Sequence, residues 1–495
     1  MEILSYLFAA LPFAIAFLVA LALCTLAVLF MNSAMLAMGV VATIYLLEAS
    51  SMTPFAINLG IWVYLPDLFV ALLSPAFFYR LVLLKKFDAI PRAWWMLGTV
   101  WLGLFVWGVV RHGTGAGVDF RPFFYLWLGA AYLATFDYSE DFARRCMKFL
   151  VVMGAGICAI AYYRWTMGAL DYEYHRELER LDTTGVALPR VMTAGHALIL
   201  ACALIVVASQ AVIGRVKPMA WLLAGLFGIT VVALQHRSVW VAAGAGFIAL
   251  ALMLRHLRSG AGSKLLSLVL AGAVLLLVIA ASGRFQGAVD SVQDQAVRAT
   301  STTGGTFVGR VEGWKGLLNQ WAGSGSPVTY LVGKPFGSGY ERYASDIGSQ
   351  KVGYMPHNFY VQLLYRGGLV GLAAFLWAAV QCLKVLRDRL RDRKDTAAPL
   401  LFAMLVAQLV YYVPYGIDYG QMILFGLLLG MIAGARTQTK PASRKTFAGN
   451  ELRAPLKIQS SPKCPTRGRR SATGKSGPCG VVSKAQKKFC SAASG

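Results

Sequence analysis

The sequence predicts an all-α polytopic membrane protein with about 12–14 transmembrane helices and one large external loop between the last groups of helices. Three observations predict it: an apolar composition, thirteen apolar runs, and a single long polar stretch between two of those runs.

Apolar residues make up 57% of the 495 and charged residues 14%, with a mean hydropathy of +0.58. A soluble domain carries about 25% charged residues, so the first 435 residues do not read as soluble. A spanning helix needs roughly 20 apolar residues. Candidate spans lie at 4–28, 33–48, 66–84, 94–110, 122–137, 148–163, 191–213, 218–234, 238–254, 264–282, 361–383, 397–413 and 419–435. The first run has no basic start and outlasts the roughly 7–15 apolar residues of a cleaved signal, so it reads as a membrane helix.

Lysine and arginine in short loops set the orientation. KVLRDRLRDRK at 384–394 holds six basic residues, and 84–92, 214–217 and 255–264 are basic too, whereas 49–65 and 413–419 hold none. The first set is therefore expected in the cytoplasm and the second outside. The expected organisation is an N-terminal transmembrane bundle (1–283), a large periplasmic loop (284–360), C-terminal transmembrane helices (361–435) and a basic cytoplasmic tail (436–495). The tail carries 14 Lys or Arg against Glu451 alone, and its composition is that of a disordered segment. The positive-inside rule accounts for that charge with membrane lipids as neighbours, and no nucleic-acid partner is expected. Of the eight cysteines, Cys24, Cys158, Cys202 and Cys382 lie in apolar runs. Cys464, Cys479 and Cys490 show no CxxC spacing, so no metal site is expected.

Three polar features fall on the predicted external side. Gln235-His236-Arg237 is a small turn between two spans. A charge at bilayer depth costs about 2.5–3.5 kcal/mol; an arginine snorkelling to lipid phosphates explains it, and so does an anion contact. GRVEGWKGLL at 309–318 places Arg310, Trp314 and Leu318 on one face of a helix, ahead of the glycine-rich turn YLVGKPFGSGY. Met355-Pro356-His357-Asn358-Phe359-Tyr360 ends the long loop. His357 is suited to accept a proton near neutral pH, and Asn358 to cap the next helix. A capping turn with an incidental histidine fits these residues equally.

QHRSVW (235–240), GRVEGWKG followed by VGKPFGSGY, and PHNFYVQLLYRGGLVGL (356–372) together resemble the O-antigen ligase/Wzy polymerase family of integral membrane glycosyltransferases. The last element resembles the family's HN-x-x-L-x-x-L-x-x-x-G signature, with Val361 for the first Leu and Arg at 366. The resemblance implies transfer of a glycan from an undecaprenyl-diphosphate-linked donor to an acceptor hydroxyl, either a glycan or lipid A-core, at the periplasmic face of a bacterial inner membrane. It implies His357, Arg310 and Arg237 as catalytic residues, in a metal-independent inverting enzyme without a cofactor. Arg190, Arg284, Asn358, Trp314 and Tyr340 are the substrate-binding candidates. Polymerase and ligase stay undivided at this level. A polytopic glycan flippase or transporter is the alternative, but Asp67 and Arg80 are the main charges inside predicted spans, while the other polar candidates gather at one face.

Overall fold

The protein is an all-α polytopic membrane protein, seen in a computed structural model that describes residues 18–50, 55–58, 62–167, 191–213, 218–257, 260–267, 272, 306–340, 342–344, 350–352, 356–391, 395, 397–417 and 419–435. The tail from 436 lies outside the described residues, as do Arg190 and Arg284 and most of the predicted span 264–282.

The helices are α1 (Leu18–Asn32), α2 (Ala34–Ser50), α3 (Leu65–Val82), α4 (Arg92–His112), α5 (Gly115–Ala134) and α6 (Glu140–Met167). They continue with α7 (Ala194–Ile213), α8 (Pro218–Ala233), α9 (Arg237–Leu257), α10 (Thr306–Ala322), α11 (Pro327–Val332), α12 (Phe359–Arg391), α13 (Ala398–Tyr411) and α14 (Tyr419–Gly434). Among the described residues six helices are long and apolar enough to cross a bilayer, and five shorter apolar helices accompany them. Two short antiparallel hairpins, Ala56–Asn58 with Trp62–Tyr64 and Arg342–Ala344 with Gln350–Val352, are the strands among the described residues.

Local chemistry sets the boundaries. At the start of α3, Pro66 occupies the first turn and the Asp67 carboxylate accepts the Tyr64 N–H at 2.7 Å. Asp395 does the same for α13, accepting the N–H groups of Ala397 and Ala398 at 3.0 and 3.1 Å. α12 is kinked at Gly368, whose φ of 56° and ψ of −159° leave the helical region. A side chain there would also collide with Leu331, so glycine is what lets α11 dock into the kink.

α5 and α14 form the tightest pair. Gly426, Gly430 and Gly434 recur every four residues and meet Leu126, Ala130 and Ala134 in the same order, so the two helices run parallel. Small residues let backbones approach where lipid gives helices no hydrophobic drive to associate.

Contacts between helix ends sort the bundle. Gln421 at the start of α14 lies against Gly195 at the start of α7, and His236 before α9 hydrogen-bonds Met192 before α7 at 2.8 Å. Gly416 before α14 lies against Pro356 and His357 before α12. One end of the bundle therefore collects the starts of α5, α7, α9, α12 and α14. The opposite end is stapled by Arg80, which donates to Thr135 Oγ1 (2.7 Å), the Thr135 carbonyl (2.9 Å) and the Met31 carbonyl (2.7 Å). Arg389 bonds the Ala435 carbonyl there. Lys86, from the basic connection 84–92, pairs with Asp137 at this second end, and Arg389 belongs to the basic connection 384–394.

Candidate active site

His357 sits in the turn that leads into α12, and that turn is locked by its neighbours. Asn358 is buried and its side-chain oxygen accepts the Val361 N–H at 2.9 Å, so it caps the helix as the sequence predicts. The Phe359 N–H is shared by the carbonyls of Tyr412 and Tyr415, each at 3.1 Å. Tyr360 ties the first turn of α12 to the Leu409 carbonyl at 2.8 Å. The half-buried His357 ring meets the Tyr415 ring edge to face, with centroids 5.8 Å apart at 64°.

Arg310 reaches the same tyrosine from α10. Its guanidinium donates to the Pro414 carbonyl at 3.2 Å and lies 5.4 Å from the Tyr415 ring centroid. Arg310, Trp314 and Leu318 share one face of α10, as the sequence predicts. Gly309, Gly313 and Leu317 form the fully buried stripe, while Arg310, Trp314 and Leu318 are half-buried beside it.

The glycine-rich turn is organised from below by Arg366, which is 0% exposed. Its guanidinium bonds the Asp119 carboxylate at 2.5 Å, the Pro335 carbonyl at 2.8 Å, Ser338 Oγ at 2.5 Å and the Gly339 carbonyl at 3.0 Å. Asp119 also accepts the Gly337 N–H at 2.9 Å. Gly337 has a φ of 87°, and a Cβ there would stand 2.7 Å from the Ala116 nitrogen. So glycine is required twice over, by backbone and by space. Phe336 plugs the turn into α5, packing on Phe120 and Phe123.

Tyr340 lies inside this cluster at 1% exposure, with the Arg366 guanidinium 4.1 Å from its ring and the Gln362 amide donating to its hydroxyl at 2.8 Å. Burial pushes its phenol up to about 12. The sequence reading offers Tyr340 to a sugar, but its ring is enclosed by protein. Together with Leu317 and Tyr365 it forms a small core beneath α10. Tyr365 closes the contact by hydrogen-bonding Gln320 of α10 at 3.2 Å.

Arg237 is the first residue of α9. The turn before it holds Gln235 at a φ of 55° and the buried His236, whose Nε2 donates to the Met192 carbonyl. That bond places Arg237 at the same end of the bundle as Arg310 and His357. Among the described residues no three His, Cys, Asp or Glu side chains gather into a metal-binding group.

Two features were missed by reading residues in order. The turn 412–417 carries Tyr415, and its tyrosines look like ordinary interfacial aromatics. Asp119 is a single acid near the start of a helix. Asp67, flagged as a charge within a span, proves structural: it accepts from Tyr64 N–H, from Arg121 at 2.9 Å and from Tyr125. Residues 219–376, about a third of the chain, match the family model described as O-antigen ligase. No curated protein matches the chain. The matched stretch contains Arg237, Arg310, Trp314, Tyr340, His357 and Asn358 but not Asp119 or Tyr415.

Proposed function

We infer, for a chain whose residues 219–376 match the O-antigen ligase family model, that it is a glycosyltransferase using an undecaprenyl-diphosphate-linked glycan as donor. The acceptor is a hydroxyl of a second glycan or of lipid A-core, and the reaction runs at the periplasmic face of a bacterial inner membrane. The observation that carries this reading is the meeting of Arg310 and His357 on Tyr415 from separate parts of the chain, at the end of the bundle that also holds Arg237.

The chemistry follows from the two residue types. His357 takes the proton of the acceptor hydroxyl as its oxygen attacks the anomeric carbon. The bond from that carbon to the diphosphate oxygen breaks, and its electron pair leaves with the lipid diphosphate. Guanidinium groups stay charged at any working pH and bind phosphate oxygens in pairs, so Arg310 and Arg237 neutralise the leaving group without a metal. One displacement inverts the anomeric centre. Asn358 and Trp314 flank the two groups, and Arg190 and Arg284 attract the anionic donor from further along the chain. Tyr340 acts from beneath, as support for α10.

A reconstituted transfer assay with purified lipid-linked donor tests the reading. Polymer or ligated product from the donor supports it. Failure of the purified protein to transfer glycan to any lipid-linked or lipid A-core acceptor would count against it.

A further inference from the structure

The turn between α13 and α14 touches both of the groups that the transferase reading needs, and it lies outside the family-matched stretch. Resting on that reading, we propose that Tyr415 is a positioning residue that fixes the Arg310 guanidinium and the His357 imidazole relative to each other.

The ring itself is held. Tyr411, 1% exposed in the last turn of α13, stacks on it with centroids 4.8 Å apart at 16°. Arg310 lies 5.4 Å from the ring centroid and His357 meets it at 5.8 Å. Tyr411, Arg310 and His357 thus engage the ring from three elements. The backbone of the same turn repeats the arrangement. Pro414 accepts from Arg310 at 3.2 Å, while Tyr412 and Tyr415 both accept the N–H of Phe359, two residues after His357. Gly416 completes it: a Cβ there would stand 2.6 Å from the Pro356 carbonyl oxygen, so the turn and the His357 segment are in direct backbone contact.

The physical need is orientation. A guanidinium gains its advantage over an ammonium only when its plane is presented correctly to two phosphate oxygens. A base helps only within hydrogen-bond reach of the proton it removes. α10 and α12 each deliver one of these groups, and an aromatic face with a shared carbonyl set fixes the distance between them.

The test uses the full-length protein in the reconstituted transfer assay. Tyr415→Leu should lower kcat about 10²-fold, the scale of a misplacement near 1 Å, with a much smaller change in donor KM. Tyr415→Phe should recover most of the turnover, because the contacts with Arg310, His357 and Tyr411 are made by the ring. Gly416→Ala should lower kcat without altering any side chain of the site, by pushing the turn from Pro356. If Tyr415→Leu folds poorly, this second variant carries the test. The double variant should be no slower than the slower single, because both disturb one device. Wild-type kcat in Tyr415→Leu, equal loss in Tyr415→Phe, or fully additive losses would each overturn the assignment while leaving the transferase reading standing. No product from the unaltered protein would overturn the transferase reading, and this proposal with it.

Discussion

Arg366 and Asp119 pair at 2.5 Å, joining the third turn of α12, just before its kink at Gly368, to the second turn of α5. Breaking a buried pair strands a charge, at a cost of about 3–5 kcal/mol. Arg366→Met should therefore lower the unfolding temperature sharply in detergent. Adding Asp119→Leu should recover only part of the loss, because the Pro335 and Gly339 carbonyls still lose their donor. Thermal unfolding of both variants measures it, and full recovery in the double would show that the ion pair alone matters.

His357→Ala should remove the general-base contribution, on the order of 10²–10⁴-fold in rate, while donor binding survives. The transfer assay run beside a donor-binding assay separates the two effects. Loss of donor binding would reassign His357 to the diphosphate.

Arg310→Lys should fail as a transferase even though the charge is kept, because an ammonium lacks the planar fork. Arg237→Lys should retain partial activity if Arg237 acts by attraction at longer range. The ratio of the two kcat values is the measurement, and equal retention would remove the distinction in roles.

Gly430→Ala should destabilise the bundle by about 1–3 kcal/mol, as inserted atoms do in a filled interface. Its Cβ would stand 2.9 Å from the Ala130 Cα. Gly228→Ala, with nothing within 4 Å of its Cβ, is the matched control and should leave the unfolding temperature near wild type.

The orientation is tested by cysteine labelling. Cysteines at Ser326 and Ser345 should react with a membrane-impermeant thiol reagent applied outside intact cells, and cysteines at Ser259 and Ser471 should not. Labelling at Ser326 only after lysis would place the His357 end of the bundle in the cytoplasm.

The sequence by itself determined the class of the protein and most of its helices. Apolar runs some 20 residues long have one stable solution in a bilayer, where each backbone group must be satisfied within its own segment. Asn358 was legible as a cap, because capping depends on residues three positions apart. Tertiary structure alone decided the rest. Arg366 stood out only as a departure within a motif, and Asp119 not at all; their pairing joins positions separated by 247 residues. Tyr340 has the composition of a sugar-stacking residue, and only packing shows its ring enclosed under α10. Tyr415 carried no signal, because an interfacial tyrosine looks the same whether it faces lipid or stands between an arginine and a histidine. Periodicity and caps are local properties of a chain, whereas the meeting of Arg310, His357 and Tyr415 depends on which helices pack together and at what height.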